Sequence, residues 1–121
     1  MSSTFYPESL LPVIREEPQP PYQRFTELRE LILLDYGYNT ARAYWGDLDD
    51  VYRWSIERGK DVLALRESDV RQYVSLLRRR KYSENTIRRR VTALRKLYAL
   101  ITADNTKNPT YNVVVPRPRK K

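Results

Sequence analysis

Four stretches of the chain repeat apolar residues at intervals of three and four, the period of an amphipathic helix, and none sustains the alternation of a half-buried strand. The clearest is Ser83 to Ile101, SENTIRRRVTALRKLYALI. At about 100° per residue it sets Ile87, Val91, Leu94, Tyr98 and Ile101 on one stripe, with Leu97 at its edge. Ser83 is placed to cap this helix, and Glu84 lies where the helix dipole favours an anion. Arg88, Arg89, Thr92, Arg95 and Lys96 occupy the opposite arc, so the helix has an apolar back and a cationic front.

The same period predicts a first helix from about Phe25 to Asp35, with Phe25, Leu28, Leu31 and Ile32 turned inward. Leu33 and Leu34 fall on its other faces, which makes the helix either deeply buried or a contact for another molecule. After a break at Tyr36-Gly37-Tyr38, Asn39 or Thr40 caps a second helix that reaches about Glu57. Its inner face is Ala41, Trp45, Leu48, Tyr52 and Ile56, flanked by Tyr44 and Val51. Gly59 supplies a left-handed stop, and Val62, Leu63 and Leu65 cover the bottom of the core. A third helix, about Glu67 to Arg79, buries Val70, Tyr73, Val74 and Leu77 and has no evident cap. The expected fold is all-α, a bundle of four to five helices with flexible termini.

Proline density marks residues 1–22 as a flexible, Pro-rich arm and 23–107 as the helical domain. Residues 108–121 read as a linker, in which Asn108-Pro109 enforces extended backbone and Tyr111 to Pro116 forms a short strand or continues the linker. Its unpartnered valines suggest a chain cut at a domain boundary.

With 121 residues there is room for one core. The absence of cysteine and histidine rules out disulfides, histidine acid–base catalysis and the usual ligands of transition metals, so no cofactor is expected. No apolar run is long enough to span a bilayer, and the start lacks the form of a signal peptide, so a cytoplasmic protein is expected. Charge adds the functional hint. The net charge is +8, and Arg78 to Lys96 holds nine basic residues against one acidic, while the rest of the chain balances at 14 and 14. Such segregation points to a polyanionic partner, the alternative being a solubilising surface. Arginine dominates this segment, and its planar fork suits both phosphate oxygens and guanine edges. Arg90 lies near the apolar stripe and reads as structural. Tyr44, Tyr52, Tyr73 and Tyr98 lie on or beside apolar faces, which favours core packing over base stacking.

The second and fourth helices echo each other at an offset of 46: Asn39-Thr40-x-Arg42 recurs as Asn85-Thr86-x-Arg88, and Leu48 and Tyr52 recur as Leu94 and Tyr98. Packing explains the apolar matches. The polar ones place a short amide, a hydroxyl and an arginine at a helix N-terminus, a grouping suited to a phosphate oxygen or to ordinary capping. The candidate nucleic-acid contacts from these openings and from the cationic arc with the turn before it are Asn39, Thr40, Arg42, Arg79, Lys81, Asn85, Thr86, Arg88, Arg89, Thr92, Arg95 and Lys96; the family resemblance that follows implies Ser83 as well.

The order of Tyr38, Thr40 and Tyr44 running into Asp47-Leu48, then Asp69-Val70 with Tyr73-Val74, then Ser83, Thr86, Ile87, Arg89, Val91, Ala93, Leu94, Arg95, Leu97 and Tyr98, then Asn108-Pro109, resembles the SAM-like core-binding domain of tyrosine recombinases, the phage integrase family. The resemblance spans about Arg24 to Pro109 and implies an orthogonal helical bundle. It also implies a non-catalytic module that clamps the core recombination site of double-stranded DNA, with its second and fourth helices against the major groove. It further implies that the first helix meets neighbouring protomers, and that residues 108–121 lead toward a catalytic domain this chain does not contain. The family's catalytic residues belong to that other domain, so Tyr111 is not the nucleophile. Two further readings remain open: a stand-alone helix-turn-helix regulator, and a helical protein-interaction module built on the first helix. An enzyme is the weakest candidate, because no nucleophile–base pair, carboxylate pair or phosphate loop can be assembled.

Overall fold

A computed structural model describes residues 21–115, so residues 1–20 of the expected arm and 116–121 of the expected linker lie outside the described residues. Four helices follow in order: α1 Pro21–Leu33, α2 Tyr38–Glu57, α3 Glu67–Arg79 and α4 Glu84–Ile101, with a single 3₁₀ turn at Asn105–Lys107 and no strand among the described residues. The all-α bundle read from the sequence is the observed fold. Helix α4 packs against the other three, most extensively against α2.

Helix α1 starts at Pro21, earlier than Phe25, since proline at the first helical position loses no hydrogen bond and has a helical φ already set. It buries Phe25, Leu28 and Ile32, but Leu31 is 53% exposed, contrary to the inward placement above. Helix α2 departs further. Its cap is Gly37, and Asn39 and Thr40 lie within the first turn as its second and third residues. The buried set is Asp47, Leu48, Val51, Trp54 and Ser55, an arc rotated by about 100° from the one expected. Of the expected set Leu48 is buried, whereas Ile56 is 59% exposed. Trp45 is 41% exposed, and its ring is covered by the Arg29 guanidinium at 4.5 Å.

Helix α3 buries Val70, Tyr73, Val74 and Leu77, as its periodicity predicts. The cap missing from its sequence is supplied in reverse: the Arg66 amide donates to Asp69 Oδ2 at 2.9 Å, and Asp69 also pairs with Lys60 Nζ at 2.9 Å. The Arg66 hydrogen bond and the Lys60 charge hold the Asp69 carboxyl below its ordinary range. In the α3–α4 turn Lys81 adopts φ 69°, a left-handed conformation that is steric work for a residue with a Cβ.

Helix α4 buries Ile87, Val91, Leu94 and Tyr98, and also Ala93 and Leu97, so Leu97 belongs to the core and not to its edge. Ile101 is 39% exposed and leaves the stripe. The Tyr98 hydroxyl donates to the Val62 carbonyl at 2.7 Å and accepts from the Leu65 amide at 2.8 Å, pinning the α2–α3 connection under the bundle. Tyr73 packs on Trp54 at 5.0 Å between ring centroids. Tyr44 and Tyr52 pack against the core from its margin, so these four tyrosines are structural.

Beyond α4 the chain folds back. Asn108, Pro109 and Thr110 are buried, and Val113 and Val115 join the core. Of the two expectations, a short strand or a linker, no strand forms: a turn over 109–112 leads into irregular chain packed on the bundle. Arg95 Nη2 donates to the carbonyls of Thr110 and Val113, Arg71 Nη2 to that of Asn112, and Asn108 Nδ2 to that of Arg95.

Candidate nucleic-acid interface

The repeated Asn-Thr-x-Arg openings take equivalent places, since Asn39 and Thr40 in α2, and Asn85 and Thr86 in α4, are the second and third residues of their helices. Their surroundings differ. Ser83 caps α4, its Oγ accepting from the Thr86 amide at 3.1 Å and donating to Thr86 Oγ1 at 3.1 Å. Asn85 Oδ1 accepts from Arg88 Nη1 at 2.7 Å. Glu84 takes two hydrogen bonds from Arg78, at 3.0 and 3.2 Å, which pull its pKa below the ordinary value of 4.5. At the start of α2 no side chain caps the helix and no acidic residue stands in the first turn. Asn39, Thr40 and Arg42 are exposed there.

Between the two helices lies an open cleft of about 410 Å³, where Asn39 and Arg42 of α2 meet Arg89 and Arg90 of α4. Ala43, Gly46 and Asp47 complete its lining. The Asp47 side chain is 1% exposed. Its Oδ2 accepts from Arg89 Nε at 2.6 Å, and its Oδ1 from Arg89 Nη2 at 2.9 Å and Arg90 Nε at 3.2 Å. Arg90 Nη1 continues to Asp50 Oδ2 at 2.7 Å, and the same carboxylate accepts the Tyr73 hydroxyl. Arg90 is thus structural, as its position beside the stripe suggests. Donation to Asp47 raises the Arg89 pKa above the ordinary arginine value. Tyr73 is also shifted up, first by burial and then by Asp50.

The other candidates are scattered around this cleft. Arg79 and Lys81 are exposed on and just after the end of α3, and with Arg42 their side chains make no hydrogen bond or ion pair among the described residues. Thr92 is half-buried. Arg95 is engaged by the C-terminal turn, and the Lys96 ammonium stands 5.3 Å from the centre of the Tyr36 ring. The cationic front of α4 is therefore partly spent within the molecule. Asp47 and Gly46 of the cleft did not figure among the sequence candidates. The sequence signal for Asp47 was its place in the run Tyr38, Thr40, Tyr44, Asp47-Leu48 noted above; nothing in the polarity of α2, which also carries Asp49 and Asp50, singled it out. Among the described residues no group of acidic side chains is gathered as a metal site, and no helix is long and apolar enough to cross a membrane.

Comparison with known proteins identifies the family. The family model described as phage integrase, N-terminal SAM-like domain, matches residues 30–105. Among curated proteins, the chain is 33% identical over 75 residues to a tyrosine recombinase XerC of Listeria monocytogenes serotype 4a (strain HCC23), covering 59% of this chain and 24% of that protein. It is 32% identical over 81 residues to a tyrosine recombinase XerC of Listeria innocua serovar 6a (strain ATCC BAA-680 / CLIP 11262), covering 62% and 26%. The chain thus aligns with about a quarter of the length of these relatives. No solved structure gives a significant match.

Proposed function

Because the chain belongs to the family of phage integrase N-terminal SAM-like domains, which are distinct from the catalytic tyrosine-recombinase domain, we propose that it is the non-catalytic duplex-DNA-binding module of a site-specific recombinase. In this reading α2 and α4 lie against the major groove of a core recombination site, with Asn39, Thr40 and Arg42 at one helix start and Ser83, Asn85, Thr86 and Arg88 at the other. Arg79, Lys81, Arg89, Thr92, Arg95 and Lys96 extend the surface. Residues 23–107 are the helical binding domain, against which residues 108–115 pack before the chain leads toward a catalytic domain whose chemistry this chain does not supply. The exposed Leu31 of α1 and Leu34 just beyond its end serve a neighbouring protomer.

The observation that carries the reading is the cleft that joins the uncapped start of α2 to the arginines of α4, in the segment where the chain's whole net charge resides. Exposed amides, an unpaired arginine and a groove between two helices are what a phosphate-lined duplex engages. A second reading, a protein-interaction module, draws on the exposed apolar residues Leu31, Leu34, Leu100 and Ile101.

Titration with duplex DNA at several salt concentrations tests the choice. With about four to six phosphate contacts, log K falls against log salt with a slope of about −4 to −5. DNA-induced amide shifts are expected at the starts of α2 and α4. Shifts confined to α1, or binding without salt dependence, would move the protein-interaction reading ahead.

A further inference from the structure

A carboxylate in a cationic cleft opposes the binding of phosphate, yet Asp47 sits there at 1% side-chain exposure, where an unpaired charge is costly. Arg90, 11% exposed, already supplies a cation from the inside by bridging Asp47 to Asp50. Arg89 makes a second and better-formed pair, both bonds lying on its Nε–Nη2 edge, while 45% of its side chain stays exposed. Arg90 is shared between two carboxylates, so Arg89 supplies the balancing charge for Asp47, and it does so with one edge of a guanidinium that stays half-exposed. The side-on pair takes two of the five guanidinium N–H donors and fixes the plane of the fork, leaving the remaining donors to the cleft.

Resting on the DNA-binding reading above, we propose that Asp47 is a positioning residue that buttresses Arg89 for hydrogen bonding to a base edge, guanine O6 and N7 being the matching acceptor pair, and that this buttressing makes Arg89 the specificity-determining residue of the cleft. Arg42, Arg79 and Lys81 carry charge that nothing in the described chain balances, and this suits phosphate. The charge of Arg89 is balanced by Asp47, so a phosphate gains little from it. A bidentate contact to uncharged acceptors depends instead on the direction of the fork, which Asp47 sets.

The experiment uses the full chain and a library of randomised duplexes, followed by titration of the enriched duplex and a scrambled one across a range of salt, with thermal unfolding measured on every variant. Wild type is expected to enrich a motif containing a required G·C pair. Arg89→Lys should lose preference at that pair by about 5- to 150-fold, while its affinity for the scrambled duplex and its salt slope stay near those of wild type. Asp47→Asn should bind the enriched duplex more weakly and the scrambled duplex as well or better, with a slope steeper by up to about one unit because the Arg89 charge is released. A purely structural Asp47 would instead weaken both duplexes in parallel with a lowered unfolding temperature, and that result overturns the proposal. Retention of the motif by Arg89→Lys, or no enrichment by wild type that still binds duplex, overturns it as well. Absence of duplex binding by wild type at any salt sinks the DNA reading itself. If Asp47→Asn does not fold, Arg89→Lys and Arg89→Gln, at a half-exposed position, decide the matter.

Discussion

The starts of α2 and α4 have the same four-residue opening, and one is closed by its own chain while the other is left open. In α4, Ser83 takes the Thr86 amide, Asn85 holds Arg88, and Glu84 faces Arg78. In α2, Gly37 precedes the helix with φ −71° and ψ 173° and offers no side chain, and no acid stands in the first turn. Deeper in the bundle the helices are alike, with Leu48 and Leu94 each fully buried. A repeated motif therefore fixes which groups stand at a helix end. The residue just before it decides whether those groups remain available.

The largest test concerns the shared part. Leu48→Ala and Leu94→Ala should each destabilise the domain by about 2 to 5 kcal/mol, measured by denaturant unfolding. A loss below about 0.5 kcal/mol at either would place that helix on the surface and end the equivalence. Next comes the unshared part. Arg42→Ala should flatten the salt slope of duplex binding by about one unit and weaken binding about tenfold near 0.1 M salt, whereas Arg88→Ala, whose guanidinium is already engaged by Asn85, should do less. Equal losses from the two would erase the distinction between an open and a closed end.

The caps can also be exchanged. Ser83→Ala should cost about 1 kcal/mol of stability. Gly37→Asp should gain a few tenths of a kcal/mol, there being open space for its Cβ, while weakening duplex binding by closing the α2 end. Stronger duplex binding by Gly37→Asp would show that the open end is not used. The smallest effect is acid dependence. The folded pKa of Glu84 lies below its unfolded value of 4.5, so what the Arg78–Glu84 pair contributes is complete above that value and is lost as pH falls through the folded pKa. Glu84→Gln should accordingly make unfolding less sensitive to acid in this range, as thermal scans at a series of pH values would show.

Much of this was legible before any coordinates. The residues of α3, the core stripe of α4, the Ser83 cap and the left-handed Gly59 all follow from local period and stop signals. The rotation of α2 was not. Its apolar residues cover two arcs, and the correct one contains Asp47 and Ser55, which a polarity pattern assigns to solvent. Asp47 is buried because Arg89 and Arg90 reach it across more than forty residues of chain, a partnership that no local period encodes. The packing of Val113 and Val115 was hidden for the related reason that a turn has no period. The early start of α1 was readable in principle, since Pro21 marks a first helical position.

Lys81 carries a last consequence, for engineering. Its left-handed backbone at φ 69° is a conformation in which a side chain costs about 1 kcal/mol more than glycine, so Lys81→Gly is the natural choice of anyone seeking a sturdier domain. The same exchange deletes a cation that is exposed and unpaired beside α4. Selection for heat resistance alone and selection for grip on a polyanion would thus pull this one position in opposite directions.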